Sequence, residues 1–78
     1  MDFYVMELRV YPERGRVTFD AYCTYKTRFF RVLIAIHDIN SIGDLTSEHF
    51  AKAWTAIRSR AEESARDIDK ELDQASAA

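Results

Sequence analysis

"FFRVLIAIHDI", residues 29–39, is the most apolar run of the chain, and the fold turns on how its side chains divide. A strand with one buried face alternates apolar and polar residues, yet Phe29, Phe30, Val32, Leu33, Ile34, Ala35 and Ile36 fall on both parities. One parity must face a core, and the other needs its own explanation. Upstream, two segments show the same period: Tyr4, Met6, Leu8 and Val10, then Val17, Phe19, Ala21 and Cys23. "YPERG" separates these two with Pro12 and Gly15 as a turn signal, and Lys26 and Thr27 mark a second reversal without a good turn residue. Strands are predicted over about residues 3–11, 16–24 and 28–38.

The pattern also predicts register, because a slip of one residue would turn every apolar side chain outward. Tyr11 opposite Arg16 places Val10 against Val17, Leu8 against Phe19, Met6 against Ala21 and Tyr4 against Cys23. Tyr25 opposite Arg28 places Cys23 against Phe30, Ala21 against Val32, Phe19 against Ile34 and Val17 against Ile36. The result is an antiparallel meander with one coherent apolar face.

"NSIGD" then leads into a helix over about residues 47–74, with Thr46 as N-cap, Glu48 in the first turn and Leu45 placed to staple onto Phe50. Phe50, Trp54, Ile57, Ala61, Ala65, Ile68, Leu72 and Ala75 recur at spacings of three and four. Eight-residue strands span about 26 Å, whereas a helix from Ser47 to Ala75 spans about 43 Å. Ile68 and Leu72 are therefore expected to overhang the sheet, and residues 75–78 to fray. The predicted fold is a single two-layer α+β domain: a three-stranded antiparallel meander packed by one long C-terminal α-helix.

In this register the second sheet face carries Phe3, Val5, Tyr22, Phe29 and Leu33 at one end and polar residues at the other. Glu7 would face Asp20 there, a like-charge pair that needs an intervening arginine. Clustered exposed apolar residues mark interaction surfaces, and a chain of 78 residues buries only about 60% of its unfolded surface, so it gains from association. The expected contact residues are Phe3, Val5, Tyr22, Phe29, Arg31 and Leu33 on the sheet and Ile68 and Leu72 on the helix. A second copy stacked on this patch or on the overhanging helix is the simplest occupant.

Chemistry is sparse. His37 and His49 have no Cys or acidic residue at ligand spacing, and Cys23 falls on the apolar parity, so neither a metal site nor a nucleophile is expected. Asp67, Asp69, Glu71 and Asp73 step by two, about 200° apart on a helix, and do not converge on one ion. Glu62 with Arg66, and Asp67 with Lys70, have the spacing of ordinary helix-surface ion pairs. Residues 1–36 hold six Lys/Arg against four acids (+2), and residues 37–78 hold five against nine (−4), an asymmetry suited to orienting a partner. One cysteine excludes an internal disulfide, and neither a leader peptide nor an apolar run of about 18 residues is evident, so a cytoplasmic protein is expected.

The order strand, "GRVTF", hairpin, then a helix carrying "HFAKAWTAIRSRAEESA" resembles the short bacterial proteins of domain-of-unknown-function family 1488. Val17, Phe19, Phe50, Ala53, Arg58, Glu62 and Ala65 carry the likeness, over roughly Leu8 to Arg66. The resemblance implies a small bacterial or phage protein and supplies no activity; members with further C-terminal sequence have more chain than follows this helix. The function expected is a non-enzymatic protein-binding module, a homodimer that occludes or bridges a protein partner, as a phage or mobile-element inhibitor or a small bacterial regulator would. It needs no cofactor. The alternative is a nucleic-acid-binding regulator using Tyr22, Phe29 and Arg31 as a stacking platform, against which the net charge of −2 argues.

Overall fold

The structure, a computed structural model, describes residues 2–77 and the side chains of residues 2–75. Three ten-residue strands, β1 (Tyr4–Glu13), β2 (Arg16–Tyr25) and β3 (Arg28–His37), form one antiparallel sheet in the order β1-β2-β3. A 3-10 turn at Ile42–Asp44 leads into α1 (Ser47–Ala77). The architecture is the expected α+β meander with one helix, which continues past residue 74 to Ala77. Residue 78 lies outside the described residues.

The β2–β3 register is the one the hydrophobic pattern demands, with Val17 opposite Ile36, Phe19 opposite Ile34, Ala21 opposite Val32 and Cys23 opposite Phe30. The β1–β2 register is displaced by two residues from expectation. Glu13, not Tyr11, faces Arg16, so Val10 meets Phe19 and Leu8 meets Ala21. A two-residue shift keeps every side chain on its face, so hydrophobicity cannot detect it. The sequence signal that misleads is Pro12, which is tolerated because β1 is an edge strand. The turn then shrinks to Arg14 and Gly15, where Gly15 takes φ 78°, a conformation glycine adopts without a Cβ clash.

A bulge between Val5 and Glu7 makes the larger difference. The extra residue reverses side-chain parity, so Val5 faces Cys23 on the helix side and Tyr4 faces Thr24 on the opposite side. Phe3 and Val5 are thus half-buried against the chain's own core rather than on the second face where the pattern placed them.

The core lies between β2, β3 and the helix. Val17, Phe19, Ala21, Cys23, Val32 and Ile39 pack against Ala53, Ile57 and Ala61. Alanines on the buried seam let the helix lie close to the sheet. Phe50 meets Phe19 edge to face, with ring centroids 5.6 Å apart. A second cluster joins Tyr25, Ala65 and Ile68, with Phe3, Phe30 and Leu72 packed around it. Ile68 is 9% exposed and Leu72 is half-buried, so neither projects free beyond the sheet as expected. The strands are longer than eight residues and Tyr25 at the end of β2 reaches the helix, which moves the end of contact to about Leu72.

The helix is fastened at its start and again about two turns before its end. Thr46 Oγ1 accepts the His49 backbone N–H (3.2 Å), and His49 Nδ1 accepts the Thr46 backbone N–H (3.0 Å), a reciprocal cap with His in the position usually held by Glu or Gln. Near the other end, Asp69 accepts the Tyr25 hydroxyl (3.0 Å) and pairs with Lys26. Lys26 itself sits at φ 55°, the left-handed turn position that no glycine fills here. The first turn is tied to the chain after β3: Gly15 N–H donates to Asn40 Oδ1 (3.1 Å), and Asp38 N–H donates to the Gly15 carbonyl (2.9 Å).

Candidate protein interface

The sheet face away from the helix is built as five cross-strand rungs. From the β2–β3 turn they are Tyr4–Thr24–Phe29, Glu7–Tyr22–Arg31, Arg9–Asp20–Leu33, Tyr11–Thr18–Ala35 and Glu13–Arg16–His37. Strand alternation, with the bulge between Val5 and Glu7 bringing Tyr4 round, puts these fifteen residues on one side. Phe29 is 70% exposed, Tyr4 68% and Leu33 50%, and Tyr11 and Tyr22 are also exposed. Of the residues expected to make contacts, Tyr22, Phe29, Arg31 and Leu33 do lie together here. Phe3, Val5 and Ile68 do not, because the bulge and Tyr25 enclose them, and Leu72 packs on the second cluster. Tyr4 takes the place assigned to Phe3 and Val5; a parity reversal in β1 would have revealed it, but nothing in "YVMEL" announces a bulge.

The charges of this face are satisfied within the chain. Asp20, only 3% exposed, is gripped by Arg31 through two bonds, Nε to Oδ1 (3.2 Å) and Nη2 to Oδ2 (2.7 Å). Arg31 also lies over the Tyr22 ring, 5.3 Å from its centroid. Asp20 beside it raises the Arg31 guanidinium above its ordinary pKa and keeps it charged. Glu7 pairs with Arg9 (2.8 Å), and Glu13 with Arg16. The feared Glu7–Asp20 opposition does not occur, since the shifted register puts Arg9 opposite Asp20.

Depressions on the surface are shallow and open. One, over the polar end of the face, is lined by Tyr11, Thr18, Asp20, Arg31 and Leu33 among others. Another lies where Phe3, Val5, Trp54 and Arg58 meet beside β1. Among the described residues, no group of three or more His, Cys, Asp or Glu is placed to hold a metal ion. His49 is occupied in the helix cap. Cys23 is fully buried, and burial pushes its thiol pKa up, away from the reactive thiolate. Among the described residues, no helix is long and apolar enough to cross a membrane. Compared with protein-family models, with curated proteins and with solved structures, the chain finds no match.

Proposed function

We propose that the chain is a non-enzymatic protein-binding module, acting as a homodimer, whose helix-free sheet face docks a protein partner. One observation carries this reading. The face exposes Tyr4, Tyr22, Phe29 and Leu33 while its acidic and basic side chains are already paired with one another. A partner covering it removes apolar and aromatic surface from water, the main source of binding free energy, without stranding an unpaired charge. The same pairing weighs against the nucleic-acid alternative. Arg31, the cation of the stacking platform, is held by Asp20, and the nearby Lys26 and Arg28 lie against Asp69 and Glu71, so phosphates find little free positive charge.

The test is Leu33→Lys. Leu33 sits opposite the carboxylate of Asp20, and half of the native side chain is already in water, so the folded sheet tolerates a lysine there. A partner that binds the wild-type chain from purified components is expected to lose at least tenfold in affinity with Leu33→Lys, while the circular-dichroism spectrum is unchanged. Binding indifferent to Leu33→Lys and to Phe29→Ser would contradict the proposal. So would tight, salt-sensitive binding of single-stranded RNA.

A further inference from the structure

We infer that the second copy of the chain joins along the edge of β1, pairing β1 with its symmetry mate in antiparallel fashion about a two-fold axis at Leu8, to give one continuous six-stranded sheet. The inference rests on the homodimer part of the function proposed above and names its surface. Both outer strands present a row of backbone groups to solvent, but they are not equivalent. In a hairpin with a two-residue turn, the residues flanking the turn exchange both hydrogen bonds, and bonded and non-bonded pairs alternate from there. On β3 this directs the Leu33 carbonyl outward, and Arg60 Nη1 from the helix reaches it (3.4 Å). On β1 it directs the N–H and C=O groups of Leu8 and Val10 outward, and among the described residues no side-chain hydrogen bond meets them. Pro12, whose ring has no N–H to lose, and the bulge at Val5/Glu7 bracket this short pairing segment.

The helix lies off centre. It packs most closely on β3, less on β2 and only slightly on β1. Between the half-buried Val5 and Val10, the helix-facing side of β1 is consequently open, with Met6 64% and Leu8 40% exposed, and the helix flank adds Phe50 and Trp54, themselves 44% and 41% exposed. This apolar strip runs along the open edge, where a second β1 would continue it.

Charge then selects the register and the occupant. An axis at Leu8 sets Leu8 against Leu8 of the second copy, Val10 against its Met6, and Glu7 against its Arg9, so the two charges flanking the axis meet opposite charges twice over. An axis at Glu7 or at Arg9 would set like charges face to face, and an axis at Val10 would set Glu7 against Glu13. An axis at Tyr11 would set Arg9 against Glu13 but would oppose Val10 to Pro12, which has no N–H to give, so of the axes from Glu7 to Tyr11 only the one at Leu8 matches both charges and backbone bonds. In that dimer both helices lie on one side of the sheet and both open faces on the other, so a partner meets two copies of the Tyr22–Phe29–Leu33 surface side by side. An interface of one strand pair and a narrow strip is small, and its dissociation constant is expected in the micromolar range.

Sedimentation equilibrium of the full chain tests this. The wild-type chain is expected to approach twice the monomer mass as concentration rises toward millimolar. Leu8→Lys, which sets two lysines together on the axis, is expected to hold it at monomer mass without changing its melting. Glu7→Arg is expected to weaken association at least tenfold, and Glu7→Arg combined with Arg9→Glu to restore it. Under oxidation Leu8→Cys is expected to form a disulfide dimer and Val10→Cys is not, since a directly opposed bonded pair has Cα atoms about 5.5 Å apart, within disulfide reach, and the native Cys23 is buried. A wild-type chain that stays monomeric at millimolar concentration overturns the inference and leaves the Leu33→Lys test of the docking face standing. A dimer that survives Leu8→Lys but dissociates with Leu33→Lys overturns it as well, by placing self-association on the open face.

Discussion

The two faces of the sheet share three backbones and little else. On the helix side of β2, Val17, Phe19, Ala21 and Cys23 are at most 1% exposed, and their cohesion comes from apolar burial against Ala53, Ile57 and Ala61. One residue over on the same strand, Thr18, Asp20, Tyr22 and Thr24 face a surface organised by ion pairs and aromatic rings. If the open face docks a partner as proposed, stability and recognition are divided between the two sides of one sheet. Burial is non-directional and accumulates on one side, while the paired charges of the other side fix geometry and leave apolar rings free for a partner.

Mutations should therefore behave differently by parity. The largest expected loss is on the covered face: Ile57→Ala, at a site 1% exposed, should destabilise the domain by about 2–5 kcal/mol in urea denaturation. A loss under about 1 kcal/mol would mean the helix is loosely docked. On the open face the order within one ion pair is diagnostic. Asp20→Asn leaves Arg31 in contact with water and should cost about 1 kcal/mol, whereas Arg31→Met strands a buried carboxylate and should cost more. Equal effects would show that Asp20 is better solvated than its burial implies.

Smaller effects sharpen how the covered face is held shut. Thr46→Ala removes the side chain that caps His49 N–H and should cost about 1 kcal/mol in thermal or urea denaturation, and His49→Ala removes the reciprocal acceptor of the Thr46 N–H. The smallest expected effect is a pH dependence at the far end. Lys26 and, after it, the Tyr25 hydroxyl hold the Asp69 carboxyl below its ordinary 3.8. A depressed carboxyl favours the folded state when ionised, so its contribution is complete above about pH 4 and is lost as pH falls through the lower folded value. Tyr25 and Lys26 are both raised by Asp69, so their share is present below their ordinary values of 10.0 and 10.5 and is lost as pH rises through the folded ones. Asp69→Asn should flatten both limbs of a stability–pH profile, and a profile unchanged by that substitution would detach the helix end from the β2–β3 turn.

Much of this organisation was legible in residues 17–36, where no proline interrupts and a two-residue turn leaves one register with matched apolar pairs. The helix cap at Thr46 and the seam through Ile57, Ala61 and Ala65 were equally plain. The N-terminal strand was not. Pro12 looks like a turn residue but extends an edge strand, and the two-residue shift that follows changes no face, so alternation gives no warning. The bulge before Glu7 does change faces, and it exchanged Phe3 and Val5 for Tyr4 in the open patch. Eight-residue strands would leave Ile68 overhanging, whereas the ten-residue β2 carries Tyr25 out to the helix and encloses it. The role of His49 had a signal in "TSEH", a cap residue followed three positions later by a side-chain acceptor, although the acceptor is not the usual carboxylate or amide.

The separation of the two faces is tested most directly by placing the same substitution at adjacent residues of β3 and measuring thermal stability and partner binding together. Val32 is 3% exposed and faces the helix, whereas Leu33 is 50% exposed and faces away. Val32→Lys should unfold the domain, while Leu33→Lys should melt with the wild type yet no longer bind the partner. Comparable melting of the two variants, or unfolding by Leu33→Lys, would contradict the division of this sheet into a face that folds and a face that binds.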